Sequence, residues 1–375
     1  MMRSGRFRPK LISTMRSVPP ASRSAPGCAA SAASASGSER GRSISTDPYV
    51  NPSVVAEARK LDAVFEGGGV RGIALVGAVS VIEEAGYTFE NLAGTSAGAI
   101  VSTLLAAGYR SAEIHKIAMD LDLRRLADRS LIGSLPIVGP IVEAVFGLGV
   151  YEGDALLSIL RDLLGAKGVR TFGDLVISGQ SDPRYRFRAR VVASDISRGR
   201  FLALPQDVEQ YGLRPEDVDV ALAVRMSSST PFIFKPVKLR DPAGETHVVV
   251  DGALLSNFPL ELFDTPGRPP WPTFGFRLVQ PGAPPFARFD VRGPISYVMA
   301  MIGTAMEAHD QRYVEQHNFA RTIAIDGLGV SATDFAVSDA KKEELYASGV
   351  AAAKKFLAGW DFDAYRERWR AGSSA

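Results

Sequence analysis

Gly94-Thr95-Ser96-Ala97-Gly98 spells G-x-S-x-G between an apolar run that predicts a strand and a small-residue run that predicts a helix. A serine on so sharp a turn is backbone-strained and lifts its hydroxyl clear of the chain. Gly94 and Gly98 on either side leave room for strand, turn and helix to pass closely. The helix opening after Ser96 aims amide N–H groups and the positive end of its dipole at the space beside that hydroxyl. The chemistry that suits this arrangement is acyl transfer with Ser96 as nucleophile. An ordinary small-residue helix start carries the same letters, so the motif needs partners.

Two such partners are present. Gly67-Gly68-Gly69-Val70-Arg71-Gly72 lies about thirty residues earlier, again between a predicted strand and a predicted helix. Side-chain-free residues let backbone amides approach a carbonyl, so Gly68 and Gly69 are the expected oxyanion donors, with Ala97 N–H a natural third. Arg71 has two readings, a residue that holds the loop or assists with charge, and a solvated first-turn cation. The second partner is His247-Val248-Val249-Val250-Asp251-Gly252-Ala253, where an apolar strand delivers Asp251 to its end just before a glycine turn. Alone, Asp251-Gly252 reads as a turn.

The glycine loop also admits a rival. Gly67, Gly69 and Gly72 spell G-x-G-x-x-G, the dinucleotide fingerprint, and Glu90 follows at roughly the spacing of a ribose-binding acid. Against it, the second strand does not end in that acid but continues into the Ser96 turn.

The elements that must position these residues follow from short apolar runs ending in glycine that alternate with helical patterns, the signature of βαβ units. Strands are predicted at 61–66, 89–93, 185–193, 247–250, 273–278 and 322–325, and helices at 73–85 and from Ser96 to about Ala107. Residues 1–50 are rich in Ser, Ala and Arg, show no periodicity, and read as a disordered or leader segment ahead of one catalytic domain at 51–370. With 375 residues, 46% of them apolar, the chain can bury a full core. A formal net charge of +2 gives no general case for nucleic acid. The single cysteine, Cys28, cannot form an internal disulfide and has no second thiol for a zinc site. Residues 131–150, the most apolar stretch, are broken by prolines, glycines and Glu143, so no span is predicted and a soluble, cytoplasmic chain is favoured.

Gly67 to Gly72, Gly94 to Gly98 and Asp251-Gly252-Ala253 occur in the order typical of patatin-like phospholipases, which this chain resembles. Ala193-Ser194-Asp195-Ile196, Ser227-Ser228-Ser229-Thr230-Pro231-Phe232 and Ser331-Ala332-Thr333-Asp334-Phe335 are similar to segments of bacterial members. The resemblance implies a three-layer α/β/α fold around a mainly parallel sheet. It also implies a Ser96–Asp251 dyad, an oxyanion hole from Gly67, Gly68, Gly69, Arg71, Gly72 and Ala97, and hydrolysis of lipid acyl esters without metal or cofactor. The implied partner is a lipid or membrane-surface substrate, met through peripheral contact. Ala253 is a small departure, since many members carry a second glycine there.

Three further readings remain open. His309 or His317 would complete the Ser, Asp, His order of an ordinary α/β hydrolase, or simply pack on a helix spanning 295–317. His247 does not serve as Asp251's partner, because extended chain separates them by about 13 Å. Arg184, Arg186, Arg188 and Arg190 alternate with Tyr185, Phe187 and Ala189, which predicts one cationic strand face, suited to anionic headgroups or to a solvated edge. Residues 131–150 and Pro231-Phe232-Ile233-Phe234 are candidates for an acyl-chain wall or for plain core.

Overall fold

The apolar run after Arg59 extends as β1 (Arg59–Phe65) and alternates across two buried faces. Leu61, Ala63 and Phe65 join the main core, while Val64 points the other way, as the period of two in a strand requires. The computed structural model describes residues 59–126, 148–265, 267–280 and 316–369, with Val291, Tyr297, Ala300 and Thr304. All of them fall in the unit Ala56–Ala375.

After β1 come α1 (Gly72–Glu84), β2 (Tyr87–Thr95), α2 (Ala97–Ala106) and α3 (Ser111–Asp120). Next are β3 (Gly149–Tyr151), α4 (Asp154–Ala166), β4 (Ala189–Asp195), β5 (Arg200–Leu204) and α5 (Val220–Ser227). The short strands β6 (Phe232–Phe234) and β7 (Val237–Arg240) precede β8 (Thr246–Asp251) and β9 (Thr273–Val279). The described chain closes with α6 (Gln316–Ala320), β10 (Thr322–Asp326), α7 (Asp339–Ala358) and α8 (Phe362–Trp369).

The eight-stranded sheet has the order β10-β9-β1-β2-β4-β8-β7, with β5 also paired to β4. The β10–β9, β9–β1, β1–β2 and β2–β4 pairings are parallel. The β4–β5, β4–β8 and β7–β8 pairings are antiparallel. The fold is therefore α/β with a mixed, mainly parallel sheet and flanking helices. Strand β8, which carries Asp251, runs antiparallel to β4 and forms a hairpin with β7, as a short turn between neighbouring strands requires. Strands β3 and β6 form a separate parallel pair.

Helix α1 is buried at every position from Gly72 to Ile82. It is apolar all round because it lies between the sheet and α7, and both sides must be covered. On the other face, Val64 and Ala93 meet Leu260 and Phe263 in a smaller cluster.

The cationic strand face expected at 184–190 is not formed. Strand β4 begins only at Ala189, and two of the arginines before it are held by acids. Arg184 pairs with Asp182 at 2.7 Å and Arg186 with Glu216 at 2.5 Å. Arg190, the one arginine of the four inside the strand, is buried and donates to Leu262 O at 3.2 Å. Charges with acids beside them gain nothing from a shared strand face, so the alternation of types does not fix an extended backbone there.

Candidate active site

Strands β1 and β2 run parallel with Phe65 opposite Gly94, so the loops leaving their C-terminal ends emerge side by side. One is the glycine loop and the other is the Ser96 turn. Ser96 has φ 52° and ψ −119°, a left-handed conformation that a non-glycine residue adopts only when its surroundings enforce it. Part of that enforcement is Gly98, where a Cβ would collide with Phe65 O, so helix α2 can start directly against β1. A second part is Ser227, whose Oγ accepts the Ser96 N–H at 2.8 Å.

Across the sheet, Thr95 pairs with Val192 and Ala193 pairs with Asp251, which puts Ser96 and Asp251 on one level with β4 between them. Ser96 Oγ donates to Asp251 Oδ2 at 3.0 Å. Thr230 Oγ1 donates to the same oxygen at 2.9 Å, and Ala253 N–H donates to Asp251 Oδ1 at 3.0 Å. Asp251 is only 4% exposed, and this desolvation pushes its carboxyl up to about 6, partly offset by the donors from Ala253, Thr230 and Ser96.

The glycine loop separates into supports and open amides. Gly67 N–H donates to Asn257 O at 3.2 Å, Arg71 N–H to Gly68 O at 3.2 Å, and Gly72 N–H to Gly69 O. Gly67, Arg71 and Gly72 therefore frame the loop and have no backbone donor to offer, which narrows the six-residue expectation. Among the described residues, the N–H groups of Gly68, Gly69 and Ala97 have no acceptor. Gly69 takes φ +55° and a Cβ there would strike Ala332 O, so glycine is required on both counts. Arg71 Nε donates to Gly68 O at 3.3 Å, and burial lowers its pKa. Glu66 and Asn257 brace the loop from behind, with Asn257 Nδ2 donating to Glu66 Oε1 at 3.2 Å and Glu66 accepting the Leu278 N–H.

Gly68, Gly69, Ser96, Ala97 and Asp251 all line one cavity of about 280 Å³. Much of its remaining wall is aliphatic, from Ile100 and Leu104 of α2, Ile114 and Ile117 of α3, and Leu160 and Leu163 of α4. Ile233 and Phe234 also line the cavity. Residues 131–147 of the apolar stretch lie outside the described residues, as do His309 and the side chain of His317. His247 stands elsewhere, between Asp195 at 3.4 Å and Asp241 at 3.3 Å. Asp241, Glu245 and His247 bring ligand atoms within 4.8 Å of one another, but Asp241 is paired with Arg198 at 2.8 Å, so a cation already occupies the charge that a metal would balance.

Glu90 does not face the glycine loop. It sits in the first half of β2 and pairs with Lys60 at 3.3 Å, so the C-terminal end of β2 belongs to Ser96 and not to a ribose-binding acid. Sequence reasoning misses Ser227, Thr230, Glu66 and Asn257 as site residues, because each acts through contacts with partners remote in the chain. The serine-rich run at Ser227-Ser228-Ser229-Thr230 is the only signal that points to two of them.

Comparison with known proteins identifies the family. The sequence pattern of the Patatin-like phospholipase family matches residues 63–264, more than half of the chain. The uncharacterized protein YqhO of Bacillus subtilis (strain 168) is 39% identical over 303 residues, 80% of this chain and 99% of that protein. VipD from Legionella pneumophila overlaps 80% of this chain and 67% of its own at 16% identity, with a TM-score of 0.47. ExoU, solved in complex with SpcU of the type III secretion system of Pseudomonas aeruginosa, overlaps 80% of this chain and 52% of its own at 18% identity, with a TM-score of 0.44. Among the described residues no helix is long and apolar enough to cross a membrane. The chain is a hydrolase and belongs to the patatin-like phospholipase family.

Proposed function

We propose that the protein is a serine acyl hydrolase that cleaves acyl esters of lipids through Ser96 and Asp251. The observation that carries this reading is the 3.0 Å hydrogen bond from the strained Ser96 to a desolvated Asp251 at the edge of an aliphatic cavity.

An aspartate with its ordinary pKa is a weak base for a serine hydroxyl. Raised to about 6, Asp251 is still ionised at pH 7 but holds a proton far better than a solvated carboxylate. Ser96 Oγ attacks the ester carbonyl while Asp251 takes its proton, and the amides of Gly68, Gly69 and Ala97 stabilise the oxyanion. Collapse of the tetrahedral intermediate expels the alcohol, which takes the proton from Asp251 and leaves the acyl group on Ser96. Asp251 then accepts a proton from the attacking water and returns it to Ser96 as the fatty acid departs. Because the unprotonated carboxylate is needed, kcat/KM is expected to rise with pH through an acid limb near 6 and to level above it.

Aliphatic walls on three helices suit a hydrocarbon chain and offer little to a polar one. The cavity therefore takes the acyl chain, with the ester at Ser96. Leu104 lies two turns along α2, about 12 Å of helix rise from Ser96, and is buried. Leu104→Trp is expected to cut kcat/KM on hexadecanoyl esters at least tenfold while leaving butanoyl esters within about threefold, at an overpacking cost of about 1–3 kcal/mol. Chain-length profiles with p-nitrophenyl esters, alongside thermal melts, measure both.

The functional test is a panel of phospholipids, neutral glycerides and small esters, with released fatty acid read by mass for wild type and Ser96→Ala. Release by wild type that vanishes in Ser96→Ala supports the reading. Equal release by both would overturn it.

A further inference from the structure

Ser96 and Asp251 come from β2 and β8, which are not neighbours in the sheet, since β4 runs between them. What registers one against the other is the short stretch 227–230 at the end of α5. Ser227 Oγ accepts the Ser96 N–H at 2.8 Å, and Ser229 O accepts the Asp251 N–H at 3.0 Å. Thr230 Oγ1 then donates to Asp251 Oδ2 at 2.9 Å. The stretch is itself held by Arg225, 4% exposed, which donates to Ser229 Oγ at 2.5 Å, Lys235 O at 2.8 Å and Gly153 O at 3.0 Å. Thr230 is thus an anchored group and not a loose rotor.

A carboxylate oxygen has two in-plane lone pairs. At Asp251 Oδ2 one receives Thr230 and the other receives Ser96, while Oδ1 is fixed by Ala253. We propose that Thr230 is a positioning residue for acyl transfer, fixing the Asp251 carboxylate so that its remaining Oδ2 lone pair faces the Ser96 hydroxyl. This rests on the dyad assigned above and deepens it. In a Ser-His-Asp triad the base is oriented by a third group; here the base is itself the carboxylate, and Thr230 with Ala253 takes the orienting part. When the Ser96 proton arrives on Oδ2, the other lone pair still accepts from Thr230, so the carboxyl does not swing away before the proton is passed on.

Thr230→Val keeps the shape and deletes the hydroxyl, and Thr230→Ser keeps the hydroxyl. Loss of a donor to the anion favours the protonated acid, so the acid limb of kcat/KM in Thr230→Val is expected to move up by about one pH unit. That shift alone lowers activity at pH 7 by about twofold, and misorientation brings the total loss in kcat to roughly tenfold. KM for a soluble ester changes less than kcat. Thr230→Ser restores the limb to its wild-type position. The proposal is overturned if Thr230→Val keeps the wild-type limb, whether its activity is intact or falls equally at every pH, or if Thr230→Ser fails to restore the limb while melting like wild type. Asp251→Asn, run beside them, separates the two levels. Full turnover in Asp251→Asn removes the dyad reading, whereas an inactive Asp251→Asn with an unmoved limb in Thr230→Val removes only the role given to Thr230.

Discussion

Asp251→Asn is expected to lower kcat about ten-thousandfold on any ester the wild type hydrolyses, and to leave the protein folded and at least as stable as wild type at neutral pH. The first half follows from chemistry, since an amide cannot take the Ser96 proton. The second half follows from burial. In the fold the Asp251 carboxyl titrates at about 6 instead of 3.8, so the native state holds this proton more tightly than the unfolded chain does. Stability from this group is therefore full below about pH 4, falls as pH rises toward 6, and stays reduced above it, by about 3 kcal/mol. Asparagine never ionises and escapes that loss. Its amide also fits the cluster, because the hydroxyls of Ser96 and Thr230 can accept as well as donate. Thermal melts at pH 7 and pH 4 should show Asp251→Asn equal to or above wild type at pH 7, with the gap closing at pH 4. A buried carboxylate kept at such a cost in the middle of a sheet is easier to understand as chemistry than as architecture.

Ser96→Ala is expected to lower kcat by about 10⁵-fold or more, with the remainder owed to oxyanion donors and substrate binding. Alanine removes the nucleophile but not the backbone strain, since φ 52° disfavours any Cβ. Ser96→Gly removes both. The glycine variant should be as inactive as the alanine variant and more stable than it by about 1 kcal/mol, read from denaturant melts. Equal stability of the two would mean that the turn is not held under strain.

The parts of this site that are visible in the sequence are those whose backbone is dictated within a few residues. The Ser96 turn and the glycine loop each need small residues at fixed offsets between a strand and a helix, and both occur where the composition places them. Asp251 is visible only as an acid at a strand end. Asp241-Pro242-Ala243-Gly244 is a turn pattern, but a turn ahead of a strand does not say which other strand it pairs with, so the antiparallel β4–β8 pairing is not encoded locally. Ser227, Glu66 and Asn257 act across more than a hundred residues of chain and Thr230 across 21, and no local periodicity encodes such contacts. The arginine alternation at 184–190 misleads for the opposite reason. Its spacing matches a strand, but Asp182 and Glu216 decide the matter by pairing with the side chains where they stand. The sheet itself, with its parallel centre and its helices, is legible because apolar runs closed by glycine leave few other ways to bury them.

In the proposed mechanism Ser96 is the group that becomes acylated. The most direct measurement is reaction of the full-length protein with a fluorophosphonate, followed by peptide mass mapping of the adduct. One label per chain is expected, located on Ser96, formed slowly or not at all in Asp251→Asn and suppressed by a competing long-chain ester. A hydrolytically active protein whose label maps to another residue, or one that labels Ser96 at the same rate without Asp251, would contradict it.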